Sequence, residues 1–252
     1  MHKNQAKEKI LNGGIAYGVF CPLYSPTIVE LIGHLGFDFV LLDAEHSPIG
    51  VESCEHMVRA ADSVSLPAYI RVAVNIKQNI LRYLDTGALG VQIPMINNGV
   101  EVKSVVDAVK YQPQGSRGLA GVRAASYGLT MPLKEYTIEA NQETLISIQI
   151  ETMEAVNNLD EILSVEGVDI FFIGPTDLSA SMGHVGERNH PEVQNMIEKL
   201  VQSIRAAGKA AGTVAYNHEA LAKAKERGFQ YIVHSVGPML TKSAREYLEL
   251  AR

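Results

Sequence analysis

Eight short runs of apolar, β-branched or aromatic residues recur along the chain, each followed by a longer amphipathic stretch. They are IAYGVF (15–20), FDFVLLD (37–43), PAYIRV (67–72), GVQIP (90–94), LISIQIE (145–151), VDIFFIG (168–174), AAGTVA (210–215) and YIVHS (231–235). Strands alternating with helical patterns are the signature of βα units around a parallel sheet. PTIVELIGHLG, VESCEHMVRAADSV, NIKQNILRYLDTG and HPEVQNMIEKLVQSIRAAGK supply the helices, and several end at a glycine suited to the left-handed C′ position. Eight such units in 252 residues predict an α/β fold closed as a (β/α)8 TIM barrel rather than an open doubly wound sheet. No repeat, linker or low-complexity segment divides residues 1–252, which are expected to form a single domain. Only residues 112–144 resist the alternation. They are Gly-rich, basic in places and too long for an idle connection, as functional or packed loops are.

A formal net charge of −6 leaves no basic footprint for nucleic acid, and no Lys/Arg cluster suggests a membrane surface. No apolar run approaches the roughly 18 residues of a membrane span, and the N-terminus lacks an apolar signal core. Cys21 and Cys54 lie far apart with no CxxC or CxxH partner, so neither a zinc site nor a disulfide framework is indicated. A reducing cytoplasm and a small-molecule substrate are the expectation.

In a barrel of this kind, side chains at the carboxyl ends of strands face the active site. Asp43, Glu45 and His46 follow the second strand, Arg71 ends the third, Gln149 and Glu151 end the fifth, and Asp177 follows the sixth. Each also has a purely structural reading. Glu151 could stabilise the start of a helix containing Met153 to Leu163, and Thr176 or Asp177 could cap a helix beginning near Leu178. As a pair from adjacent strand ends, however, Glu151 and Asp177 suit a hard divalent cation such as Mg2+ or Mn2+. Arg71 ends an apolar strand and needs an anion, either Asp43 or a substrate carboxylate or enolate oxygen. His46 could pack beside Pro48 or act as a general base, oriented by Asp43 or Asp85. Arg117 and Arg123 could bind an anion. HExxH, GxSxG, P-loop and GxGxxG patterns are absent, and no strand presents a Schiff-base lysine at its carboxyl end.

FDFVLLDAEHSP, the Arg of YIRV, LDTGALGVQIPMI, RGLAGVRAASYG, ISIQIE and VDIFFIGPTDLSASMGHVG, in this order, resemble the HpcH/HpaI aldolase family of metal-dependent class II pyruvate aldolases. The resemblance runs from about residue 14 to residue 235. It implies that Glu151 and Asp177 bind a divalent metal (Mg2+, Mn2+ or Co2+) and that Gln149 contacts the substrate or metal-bound water. It further implies that Arg71 holds pyruvate and its enolate, that His46 accepts the proton and that Asp85 raises the basicity of His46. The backbone at Gly174, Pro175 and Thr176 would cradle the pyruvate carboxylate, with Asp43 and Glu45 building the loop after strand two. Such proteins are (β/α)8 barrels that exchange their last helix and assemble as hexamers, trimers of dimers. Thr176 replaces the usual Ala, and Pro238 stands where an acid is common. The implied reaction is reversible cleavage of a 4-hydroxy-2-oxoacid to pyruvate and an aldehyde. Its competitors are a citrate lyase β or malyl-CoA type thioester lyase, an oxaloacetate decarboxylase, and a non-catalytic ligand-binding oligomer.

Overall fold

A computed structural model describes residues 2–251. Its strands are β1 (Ala16–Cys21), β2 (Phe39–Asp43), β3 (Ala68–Arg71), β4 (Gly90–Ile93), β5 (Leu145–Ile150), β6 (Ile170–Ile173), β7 (Ala210–Val214) and β8 (Tyr231–Ser235). They form one closed parallel barrel in sequence order, β1 pairing with β8, with helices between them. All eight expected strands are present, with ends within two residues of those read from the sequence. Gly36 and Gly87 follow the helices Pro26–His34 and Lys77–Asp85 with φ of 86° and 96°, the left-handed stops anticipated for them.

Because strand side chains alternate between faces, each strand carries one file of residues into the barrel and one out to the helices. The outward file (Val40, Leu42, Ile70, Val91, Ile146, Ile148, Phe171 and others) joins helix residues in one large apolar layer. The inward file (Phe39, Leu41, Tyr69, Leu145, Ile170, Phe172, Tyr231 and Val233) forms a separate cluster inside the barrel. At its lower level Phe39 stacks on Tyr231 with centroids 4.4 Å apart and lies 5.1 Å from Tyr69. Rings of this size fit only because Gly18 faces them: a Cβ there would lie 2.1 Å from the Phe39 ring. The Tyr69 hydroxyl donates to Asn4 Oδ1 at 2.6 Å, and Asn4 Nδ2 donates to the Leu89 and Glu143 carbonyls. Asn4 thereby caps the short helix Gln5–Leu11 and seals the amino end of the barrel.

Three local expectations are corrected. The helix expected over Met153 to Leu163 is broken into Met153–Asn157 and Leu159–Ser164, because Asn158 leaves helical geometry between them (φ −99°, ψ 15°). The helix after β6 starts at Pro175, whose fixed φ suits a first helical position, rather than near Leu178. Residues 112–144 contain a helix, Leu133–Glu143, whose Tyr136 packs edge-on against Tyr111. The last helix, Val236–Ala251, has no buried residue and exposes Leu240, Tyr247, Leu248 and Leu250.

Phe39→Ala would leave the space of a ring between Tyr69 and Tyr231, which cannot close across a barrel whose circumference is fixed. Urea denaturation is expected to show a loss of about 3–5 kcal/mol; a loss below about 1 kcal/mol would mean that the aromatic layer is not holding the barrel floor.

Candidate active site

Following the inward files upward leads from aromatic side chains to charge. Phe39 and Leu41 are followed by Asp43, Tyr69 by Arg71, Gly90 by Gln92, and Leu145 by Ser147, Gln149 and Glu151, all by steps of two. The carboxyl end of the barrel is therefore polar for the same geometric reason that its floor is apolar. Of these, Asp43, Arg71, Gln149 and Glu151 line a pocket of about 170 Å³ together with Phe20, Gly174, Pro175, Thr176 and Asp177.

Arg71 is held on three sides. Its Nε and Nη2 donate to the two oxygens of Asp43 at 3.0 and 2.7 Å, and its guanidinium lies 4.6 Å from the Phe20 ring centroid. Nη1 is engaged more loosely, 3.5 Å from Gln149 Oε1 and 3.2 Å from Glu45 Oε2, the latter without hydrogen-bond geometry. Burial opposes the charges of Arg71 and Asp43, but their mutual attraction prevails: the arginine pKa is raised and the aspartate pKa lowered. Asp43 Oδ1 also accepts from the backbone N–H groups of Glu45 and His46, which fixes the loop after β2.

Glu151 is 2% exposed, accepts the Met95 N–H at 2.8 Å on one oxygen and Gln149 Nε2 at 2.6 Å on the other. Gln149 is itself held, its carbonyl accepting from Gln92 Nε2 at 2.6 Å, and Gln92 accepts from Ser147. This chain fixes the amide orientation of Gln149 and thus the carboxylate of Glu151. Burial, with repulsion from Asp177 and Glu45, outweighs those hydrogen bonds and pushes the Glu151 pKa to about 7. Burial likewise raises Glu45, aided by Asp43 and Asp177 against the pull of Arg71.

Asp43, Glu45 and Glu151 thus surround one guanidinium, and Asp177 lies close enough to Glu45 and Glu151 to raise the pKa of both. The two not bonded to Arg71 or tucked beside it, Glu151 and Asp177, are those able to hold a divalent cation. The donor set fits: both supply hard oxygen atoms, and Asp177 is exposed in the first turn of the helix Pro175–Ser181. Gly174 is part of the fit, since a Cβ there would meet Glu151 Oε2 at 2.6 Å. Neither acid serves as a helix cap. Thr152 caps the helix after Glu151, and Gly174 occupies the cap position before Asp177.

His46 stands at the rim, its side chain 64% exposed and 3.8 Å from Glu45 Oε2. Asp85 is not brought to it. As the last residue of a helix running back from the top of β3, Asp85 lies toward the amino end of the barrel and pairs with Arg117 at 2.9 Å. Arg117 and Arg123, candidate anion ligands by sequence, are spent on Asp85 and Asp62. A further group of metal-ligating side chains lies outside the pocket, His184 and His190 on the loop after Ser181 and Glu192 in the first turn of the helix Pro191–Ala206. Its two imidazoles stack at 3.7 Å, and His184 Nε2 already pairs with Glu192. Sequence reasoning passed over Gln92, Phe20 and Tyr216. The glutamine was detectable as the sole polar side chain in GVQI; the aromatics look like ordinary core.

A family model described as HpcH/HpaI aldolase/citrate lyase matches residues 16–240. The 2-keto-3-deoxy-L-rhamnonate aldolase of Klebsiella pneumoniae subsp. pneumoniae is 37% identical over 243 residues, 96% of this chain and 90% of that one. An HpcH/HpaI aldolase/citrate lyase family protein from Burkholderia cenocepacia J2315 has a similar structure, with TM-score 0.93 at 29% identity over 99% of this chain and all of that one. An HpcH/HpaI aldolase from Desulfitobacterium hafniense DCB-2 gives 0.90 at 30% identity, covering 97% and 95%. Sequence, fold and the polar ends of the inward files agree, and the chain belongs to the HpcH/HpaI aldolase/citrate lyase family.

Proposed function

We propose that this protein is a divalent-metal-dependent class II aldolase that cleaves a 4-hydroxy-2-oxoacid, such as a 2-keto-3-deoxy sugar acid, reversibly to pyruvate and an aldehyde. The observation that carries the reading is the buried carboxylate Glu151, held at about 7 beside Asp177 and opposite a single, rigidly mounted Arg71. Such crowding of like charge is costly unless a cation joins it. Glu151 and Asp177 would hold Mg2+, Mn2+ or Co2+, whose contribution when bound is Lewis-acid stabilisation of negative charge on the keto oxygen.

The remaining work falls to the chain. Asp43 holds one edge of Arg71 and Phe20 lies against its face, so the guanidinium is oriented before substrate arrives and its loosely engaged Nη1 is the group that turns to a substrate oxygen. Peptide N–H groups of Thr176 and Asp177, free in the first turn of their helix, receive the pyruvate carboxylate beside Gly174 and Pro175. His46 takes a proton from the pyruvate methyl, and the resulting enolate carbon adds to the aldehyde; cleavage runs the same steps backward. Gln149 acts through Glu151, positioning it. With Asp85 at the other end of its own barrel, its role toward His46 requires an Asp85 supplied by a neighbouring copy. The unburied helix Val236–Ala251 supports such association, and we take the assembly to be a hexamer with exchanged helices, one domain per chain, working in the cytoplasm. A pocket of about 170 Å³ suits a small keto acid. Decarboxylation of oxaloacetate would pass through the same enolate.

Pyruvate release should be measured over a panel of 4-hydroxy-2-oxoacids and oxaloacetate with Mg2+, Mn2+ or Co2+. Turnover is expected to fall to background in chelator and to return with metal, and Glu151→Ala or Asp177→Ala to lose at least about 100-fold. No metal-stimulated pyruvate from any substrate would leave the ligand-binding oligomer as the better reading.

Proton linkage gives an independent check on the metal-free protein. A glutamate whose folded pKa lies above its ordinary 4.5, at about 7, contributes stability that is present below pH 4.5 and is lost as pH rises through 7. Glu151→Gln keeps the shape and removes the charge. Its amide NH2 then faces a donor, Met95 N–H or Gln149 Nε2, at any pH, so the charge is read from the pH dependence: in chelator the parent is expected to lose stability relative to this variant by at most about 3 kcal/mol as pH rises from 5 to 8. An equal stability difference at both pH values in denaturant titrations would contradict the buried-charge account.

A further inference from the structure

Outside the pocket, the loop joining the helices Pro175–Ser181 and Pro191–Ala206 brings two imidazoles and a carboxylate together. One nitrogen each of His184 and His190 and one carboxylate oxygen of Glu192 lie within 4.8 Å of one another. His184 Nε2 is 3.1 Å from Glu192 Oε2, and its hydrogen bond holds the Glu192 carboxyl below the ordinary glutamate range. Two donors each about 2.1 Å from a tetrahedral ion stand about 3.4 Å apart, so one edge of a coordination tetrahedron is already near its bonded length.

The loop that presents these groups is folded on itself. Gly183 and Gly186 turn it with φ of 86° and 77°, the His184 N–H donates to the Ser179 carbonyl, and the His190 N–H donates to the Glu187 carbonyl. The Arg188 carbonyl accepts Gln194 Nε2 at 2.7 Å, and the Arg188 guanidinium lies 5.1 Å from the Tyr216 ring centroid. Pro191 opens the second helix and sets Glu192 in its first turn. His184 and Glu192 are thus mounted on opposite sides of a braced connection. The stacked imidazoles, 18° from parallel, do not yet aim their lone pairs at one point. His190 is the ring free to turn, since the bond that its Nδ1 accepts from the Glu192 N–H is long at 3.3 Å. With the His184 side chain 22% exposed and that of Glu192 71% exposed, an ion reaches them directly from solvent.

We propose that His184, His190 and Glu192 form a second metal site, for a transition-metal ion of the Zn2+ type, which ties the helix bearing Asp177 to the helix that follows it. The donor sets keep the two sites apart. Paired carboxylates suit hard ions such as Mg2+, whereas imidazole nitrogen favours Zn2+ and its neighbours. Three protein donors leave a fourth position to water. None of the three lines the pocket, so the site does not depend on the aldolase reading.

The test is calorimetric titration of Zn2+ into chelator-stripped protein, comparing the parent with His184→Asn and His190→Asn. Asparagine at 190 keeps a side chain that caps the helix start, so loss of the ligand is separated from loss of the cap. The parent is expected to take one more Zn2+ ion per chain than either variant, with that ion weakened at least about 100-fold in both. The difference holds whether or not the pocket itself takes Zn2+, so failure of the pocket assignment is read separately. In excess Mg2+, Zn2+ is expected to raise the Tm of the parent and not of the variants, because only the folded loop assembles the ligands. Mg2+-dependent pyruvate release is expected to be the same in all three proteins. Equal Zn2+ stoichiometry and affinity in the parent and both variants would overturn the site.

Discussion

The strict alternation of side chains along a strand governs this molecule more than any single contact. Inside an eight-stranded barrel there is room for little more than packed side chains, so whatever the inward file contains must stack in layers. Here the lower layer is Phe39, Tyr69 and Tyr231, made possible by the missing Cβ of Gly18. Two residues further along the same files the content changes to Asp43, Arg71, Gln92 and Gln149. The floor and the chemistry are consecutive levels of one stack, and a slip of one residue in any strand would turn its charged group out into the apolar layer beneath the helices.

Rigidity at the upper level comes from hydrogen bonds in series. Ser147 holds Gln92, Gln92 holds Gln149, and Gln149 holds Glu151, while Asp43 is braced by the Glu45 and His46 N–H groups and in turn braces Arg71. Each polar side chain in these chains is buried, apart from the half-buried Arg71, and each is paired, which is the condition for low local polarity to strengthen rather than penalise it. The exception is the carboxylate cluster. There the protein keeps like charges together at a cost, and the cost is what a cation would offset.

Much of this is legible in the sequence. The strands announced themselves because each is a short apolar run bounded by turn residues, and Asp43, Arg71, Gln149, Glu151 and Asp177 stood out as polar residues where those runs end. What could not be read was relative height and distance. Asp85 and His46 are both near strand three in sequence, yet the helix between them spans the barrel and delivers Asp85 to the opposite end, beside Arg117. Tyr216 and Arg188 gave no signal, because a tyrosine after an apolar strand looks like core and an arginine in a polar loop looks like surface. Only the fold shows that they meet. The break at Asn158 was likewise hidden, since both halves of that stretch have helical periodicity.

The plugged floor has a kinetic consequence. With Phe39, Tyr69 and Tyr231 filling the lumen and Asn4 bolted beneath them, nothing enters or leaves through the amino end. The pocket beside Arg71 is therefore reached from the carboxyl end of the barrel alone. Two fragments formed there would have to leave past the same rim, and the one nearer the rim would have to leave first.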